Sequence, residues 1–305
     1  MSGERRAGDS RRHGACPASS ASAPSASSAK RGAVVAGRFE LASRIGSGGH
    51  GAVWLATDLA TGEQCAAKLV HGAASAELIR AARERSVRLD HPHVLSPYAW
   101  AEGRDLVVIA SELVRGGSLA TLLADHGPLP WRYVAEILAQ LLDALAHVHG
   151  RGLVHRDVKP ANVLLHPTAT RAPHLRLSDF GLVHAMGSQR VTRTGFVVGT
   201  PGYLAPEVLA GQPPHASQDL FAAGAVAAQL LSGSERPGPE REPDSGPLRS
   251  VVATLRSADP RQRHSAAGRL AELRAAAPLE LPALTADGEP VEIFDVLSTD
   301  YDANS

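Results

Sequence analysis

The chain has 305 residues, and its 31 lysines and arginines are matched by 31 aspartates and glutamates, which points to neither a nucleic-acid partner nor an anionic membrane surface. No stretch approaches the ~18 apolar residues that span a bilayer, and the start, with Arg5-Arg6 and Arg11-Arg12, lacks the apolar segment of a secretory signal. The two cysteines, Cys16 and Cys65, have no metal-like spacing and as a single possible pair make a weak disulfide framework, so a reducing, cytoplasmic setting is expected.

Residues 13–36 are dominated by Ala, Ser and Pro and cannot bury enough apolar surface to offset their conformational entropy. Residues 1–37 are therefore expected to form a disordered, basic arm. From Arg38, apolar runs broken by glycine predict strands: FELASRIGSGGHGAVWLATD, whose halves meet at a glycine turn, then EQCAAKLV, then DLVVIASELV. Before the last of these, SAELIRAARERSVRL has helical spacing, with Ser75 as N-cap. After Gly117 helical patterns take over. SLATLLADH is one; WRYVAEILAQLLDALAHVHGRG is the strongest, with Val134, Ile137, Leu138, Leu141, Leu142, Leu145 and Val148 on one face and Gly150 as the stop. Residues 232–247 carry no core-forming side chain and read as loop. A strand-rich part followed by a helix-rich part predicts an α+β fold of two lobes, 38–113 and 114–276, with a crevice between them. Residues 277–305 are acidic and proline-punctuated. With Val291, Ile293, Phe294, Val296 and Leu297 they are expected to be either disordered or a docking segment, folding on a partner or on the domain itself.

Four groups of residues carry chemistry. Gly46-Ser47-Gly48-Gly49-His50-Gly51, followed by Val53, lets backbone N–H groups approach a polyphosphate without a Cβ in the way. A strand follows it, not a helix, which argues against a dinucleotide-binding fingerprint. Lys68 closes the apolar run Cys65-Ala66-Ala67, a costly position unless the ammonium meets an anion. His155-Arg156-Asp157-Val158-Lys159-Pro160-Ala161-Asn162 packs a carboxylate, an ammonium and an amide into one loop: Asp157 suits proton acceptance from a hydroxyl, Lys159 neutralisation of a phosphoryl group, Asn162 a metal ion. Asp179-Phe180-Gly181 adds a second carboxylate and a hinge glycine.

This ordered set, with Gly199-Thr200-Pro201-Gly202-Tyr203-Leu204-Ala205-Pro206-Glu207, resembles the protein kinase family, and its bacterial serine/threonine branch in particular. The resemblance implies a bilobal kinase fold that transfers the ATP γ-phosphoryl group to protein Ser/Thr hydroxyls with Mg²⁺ or Mn²⁺; protein substrates follow, with no nucleic acid and no membrane span, and no oligomeric state is implied. It implies that the nucleotide lies among Ile45, the loop from Gly46 to Gly51, Ala52, Val53, Ala66, Ser111, Glu112, Val114 and Leu164. Lys68 would reach the α/β-phosphates, Asn162 and Asp179 would hold the metal, and Asp157 would orient and deprotonate the substrate hydroxyl while Lys159 steadies the γ-phosphoryl. Ser111 would be a small gatekeeper opening a back pocket. Asp219 would brace the catalytic loop, and Arg263 would pair with Glu207. Thr192 and Thr194 resemble the autophosphorylated threonines of an activation loop, with Arg156 as the phosphate's partner.

Two departures stand out. The family's glutamate partner for Lys68 falls, counting back from His91-Pro92, on Ala82; Glu84 is the preferred substitute and Glu77 the other. The stretch before Asp259-Pro260 is short, so the substrate-docking helix is expected to be reduced or missing. These departures keep open the reading of a pseudokinase, a nucleotide-binding scaffold or adaptor, against which the intact Lys68, Asp157, Asn162 and Asp179 speak.

Overall fold

The strand-forming runs of the first lobe come together in a single antiparallel sheet. The computed structural model describes residues 30–48, 51–71, 89–103, 106–179, 184–185, 200–234 and 246–298. The strands are β1 (Val34–Val35), β2 (Phe39–Gly48), β3 (Gly51–Asp58), β4 (Glu63–His71), β5 (Pro97–Glu102) and β6 (Leu106–Ser111), in the order β1-β2-β3-β4-β6-β5. Alternation along each strand separates two faces. Cys65, Ala67 and Leu69 of β4 and Leu106, Val108 and Ala110 of β6 pack with Phe39, Leu41 and Trp54 in the lobe's own core. The intervening residues take the other face, where the register sets Val53 opposite Lys68, Lys68 opposite Ile109, and Ala66 opposite Ser111.

Two features of this lobe correct the sequence reading. The arm assigned to residues 1–37 ends earlier: Val34 and Val35 pair with Glu40 and Phe39, and Val35 is buried, because it adds an apolar side chain to a core already exposed at the sheet edge. The strand β5 was not anticipated, since its only buried side chain is Ala99 and it begins at a proline. The predicted helix with Ser75, Glu77, Ala82 and Glu84 lies outside the described residues, as do residues 1–29.

The second lobe is built on helices. Helix α1 (Leu119–His126) starts at Ser118, whose hydroxyl accepts the Thr121 N–H while the Thr121 side chain accepts the Ser118 N–H, a reciprocal cap. Helix α2 (Trp131–His149) buries all seven apolar residues of the predicted seam. Then come β7 (Leu153–Val154), a 3-10 turn (Pro160–Asn162), β8 (Val163–Leu165), β9 (Leu175–Leu177), β10 (His184–Ala185), and the helices α3 (Pro206–Leu209), α4 (Ala216–Ser232), α5 (Leu248–Leu255) and α6 (Ala266–Ala276). Strand β7 pairs with β10, and β8 with β9.

Helix α4 begins three residues before Asp219, which places that carboxylate in the first turn. The His215 ring accepts the Ser217 N–H there and supplies the cap. Gly224 lets α5 approach closely, since a Cβ there would stand 2.6 Å from that of Leu255. Helix α5 turns Leu248, Val251, Val252 and Leu255 into the core. Among the described residues it is the only helix between α4 and Asp259-Pro260. Residues 277–298 lie on this lobe, with Ala283, Val291 and Ile293 in its core.

Candidate active site

Strand β7 delivers the 155–162 loop to the crevice, and Asp219 holds it. The Asp219 carboxylate is buried and accepts the N–H groups of His155 and Arg156, each at 2.8 Å, with His149 Nε2 also at 2.8 Å. Burial alone would raise its pKa. The His149 hydrogen bond, the neighbouring His149 and His155 and the Arg156 N–H override that and hold it below the usual aspartate value. Arg156 sits in the left-handed region at φ 69°, a conformation costing roughly 1–3 kcal/mol for a non-glycine residue, and the Asp219 bond to its N–H helps keep it there.

Asp157 is buried and at the centre of a network of side chains. Its Oδ2 accepts from Lys159 Nζ at 2.8 Å and from Asn162 Nδ2 at 2.9 Å, and its Oδ1 accepts from Thr200 Oγ1 at 3.0 Å. Asn162 Nδ2 also donates to the Asp157 carbonyl at 2.7 Å, and Lys159 Nζ reaches Thr200 Oγ1 at 3.1 Å. Thr200 is the residue the sequence reading missed. It stands inside the Gly-Thr-Pro-Gly motif, but its spacing gave no sign that it touches a carboxylate 43 positions earlier.

Across the crevice Lys68 Nζ forms an ion pair with Asp179. Asp179 is also left-handed, at φ 64°, and follows Ser178, whose N–H and hydroxyl donate to the Asn162 carbonyl at 2.8 and 2.9 Å. That pair of bonds ties the segment after β9 to the 155–162 loop, so Lys68, Asp179, Asn162 and Asp157 form one connected cluster. Among the described residues the acidic partner of Lys68 is Asp179; Glu84 and Glu77 lie outside them.

The crevice walls follow from the register. Val53, Ala66, Lys68 and Ser111 share one face of the sheet, with Ile45, Gly46 and Ala52 on the β2–β3 hairpin. Gly49 and His50 are outside the described residues, and Ser47 and Gly48 pair through their backbones with Ala52 and Gly51. Gly51, at φ 134°, is demanded by the fold: a Cβ there would lie 2.1 Å from the Leu69 carbonyl oxygen. Val114 is buried in the connection between lobes, and Leu164 is the half-buried middle residue of β8. The Glu112 side chain is held by Arg176 Nη2 at 3.0 Å, with His166 Nε2 at 3.9 Å.

Glu207 and Arg263 meet away from the crevice. Arg263 is fully buried and donates to Glu207 Oε1 at 2.6 Å, to Glu207 Oε2 at 3.0 Å and to the carbonyls of Ser217 and Ser257, both at 2.9 Å. Thr192 and Thr194 lie outside the described residues.

The oxygen chemistry suits a hard cation. Asn162 spends its side-chain nitrogen on Asp157, which leaves its side-chain Oδ1 as the acceptor for another partner. Asp179 lies two residues beyond the end of β9, and Ser178 before it is bonded to the Asn162 main chain. Two protein oxygens, one amide and one carboxylate, are the donor set of a divalent cation that completes its shell with phosphates and water. No helix among the described residues is long and apolar enough to cross a membrane.

The protein kinase domain family matches residues 39–267. The chain is 32% identical over 273 residues to the serine/threonine-protein kinase PknA of Mycobacterium tuberculosis, covering 80% of this chain and 62% of that protein. It is 36% identical over 236 residues to the serine/threonine-protein kinase pkn2 of Myxococcus xanthus, covering 74% and 27%. It is 33% identical over 204 residues to the serine/threonine-protein kinase PrkC of Bacillus subtilis, covering 65% and 31%. The chain thus spans less than two thirds of these relatives' own length. With the 155–162 loop, the Lys68–Asp179 pair and the buried Glu207–Arg263 pair in one bilobal fold, this chain belongs to the protein kinase family.

Proposed function

We propose that the chain is a serine/threonine protein kinase that uses ATP and Mg²⁺ or Mn²⁺ and phosphorylates protein hydroxyls, its own activation loop among them. The observation that carries this reading is the network around Asp157, in which one carboxylate is oriented by Lys159, Asn162 and Thr200 at 2.8 to 3.0 Å. An orientation so constrained suits a residue that positions an attacking hydroxyl and accepts its proton. Lys159, on the same carboxylate, is in reach of the transferring phosphoryl group. Lys68 would exchange part of its pairing with Asp179 for the α/β-phosphates, which frees Asp179 toward the metal. The metal, when bound, neutralises charge on the β- and γ-phosphates. Adenine would lie between Val53 and Ala66 above and Leu164 below, with Ser111 beside it and Val114 offering backbone groups. A phosphate on Thr192 or Thr194 would find Arg156.

A reducing, cytoplasmic setting belongs to the same reading, since Cys65 is a free, buried thiol whose pKa is pushed up by burial.

The test is transfer from radiolabelled ATP by the full chain with Mg²⁺ or Mn²⁺, beside Asp157→Asn, with mass spectrometry of residues 182–198. Label on Thr192 or Thr194 that falls about 10²- to 10⁴-fold in Asp157→Asn supports the proposal. Tight ATP binding without transfer by the parent chain would replace it with the pseudokinase reading.

A further inference from the structure

Beyond the residues that match the family, the chain turns back toward the crevice. After α6 it makes a small hairpin, with Leu284 opposite Pro290 and the Val291 N–H donating to the Ala283 carbonyl at 2.8 Å. Val291 and Ile293, 0% and 2% exposed, then sink into the second lobe. Ile293 exchanges backbone hydrogen bonds with Ala169 in both directions, at 3.0 and 3.1 Å. Gly116 makes room for it: a Cβ there would stand 2.7 Å from Ile293 Cγ2 and 2.5 Å from the Leu165 carbonyl oxygen.

The segment ends on Arg115, the residue after Val114. The Val296 N–H donates to the Arg115 carbonyl at 2.9 Å, and Arg115 Nε donates to Asp295 Oδ2 at 2.7 Å. The same guanidinium donates through Nη1 to Gln64 Oε1, at 3.2 Å, on β4 of the other lobe. Burial would raise the Asp295 pKa, but the Arg115 bond and the Leu297 N–H lower it, so the carboxylate stays charged at neutral pH. One side chain thus joins the returning segment, the connection between lobes and the sheet that roofs the crevice.

We propose that residues 283–298 form a strap within the chain, and that its Asp295 is a positioning residue for ATP: it holds Arg115, and through it the connection that receives the base, against the N-lobe. This rests on the kinase reading of the crevice. The division of labour is physical. Val291 and Ile293 seat the strap by burial, whereas the Arg115–Asp295 pair is about a third exposed, 34% and 30%, and adds little to global stability. Its effect is on the relative placement of the two lobes at the base site, so it is read in nucleotide affinity.

The experiment uses the full chain with Asp295→Asn, Asp295→Glu, Asp295→Arg, and Asp295→Arg combined with Arg115→Asp. KM for ATP, kcat toward a peptide, Kd for ATP with Mg²⁺ and Tm are measured for each. Asp295→Asn should raise KM and Kd for ATP about two- to fivefold with kcat nearly unchanged and Tm within about 2 °C. Asp295→Arg should raise them further, Asp295→Glu should stay near the parent, and the reversed pair should recover part of the loss, since it restores the ion pair to the strap but not the bond from position 115 to Gln64. Nucleotide constants that do not move in Asp295→Arg overturn the proposal, as do losses that track a fall in Tm and are not recovered by the reversed pair. The Kd keeps this separate from the kinase reading, because it reports on the strap even if the parent chain transfers no phosphate.

Discussion

Arg263→Ala tests how much of this domain's stability rests on one buried pair. The arginine and Glu207 are 0% and 6% exposed at their side chains, with two charge-assisted hydrogen bonds between them. Removing the guanidinium leaves a buried carboxylate unpaired and the Ser217 and Ser257 carbonyls short of a donor. The expected cost is about 3–5 kcal/mol, a large share of the ~5–15 kcal/mol available to a folded domain. At about 2–4 °C per kcal/mol for a domain of this size, Tm should fall roughly 6–20 °C. The loss should also depend on pH in a defined sense. In the parent, burial would raise the Glu207 pKa, but Arg263 brings it below the ordinary 4.5, so the stabilisation is complete above that value and fades only as pH falls beneath it. In Arg263→Ala burial prevails, the pKa rises, and the penalty of the charged form is relieved as pH falls toward 4.5. Thermal unfolding followed by circular dichroism should therefore show a deficit that narrows between about pH 7.5 and 5. A deficit under about 3 °C, or one that widens on acidification, would refute the reasoning.

Thr200→Ala should lower kcat roughly ten- to hundredfold while Thr200→Ser stays near the parent, because the hydroxyl bonds Asp157 and accepts from Lys159; equal activity in both variants would show the contact to be idle. On the proposed placement of the base, the small Ser111 opposite Ala66 would leave room behind it, so bulky N6-substituted ATP analogues should bind the parent better than Ser111→Met, and equal binding would show that there is no back pocket. The Asp58 carboxyl is lowered to about 2, chiefly by its bidentate Arg38 bond, so Asp58→Asn should cost about 1 kcal/mol at neutral pH. That difference should disappear as pH falls from 3.8 toward about 2, and a pH-independent difference in Tm would assign the effect to packing.

Where a residue's role depends on its neighbours in the chain, the sequence was sufficient. The seam of α2, the strand EQCAAKLV and the crowding of Asp157, Lys159 and Asn162 into one loop all arise within a few residues, through helix and strand periods or tight turns. The bilobal fold was legible for the same reason, and so was the order of the family's motifs.

Tertiary structure decided the contacts between distant segments. Asp219 reaches back to a loop more than 60 positions earlier, Thr200 closes on Asp157, and Lys68 meets Asp179 across 111 positions. No local propensity encodes such meetings; they depend on which faces two packed lobes bring together. The tail shows the difference most clearly. Proline-punctuated and acidic, it has too few apolar residues to build a core, and its sequence alone left disorder and docking equally open. Ala283, Val291 and Ile293 are nevertheless enough, because they complete a core that the second lobe had already built, and a short segment added to an existing apolar surface need only offset its own ordering.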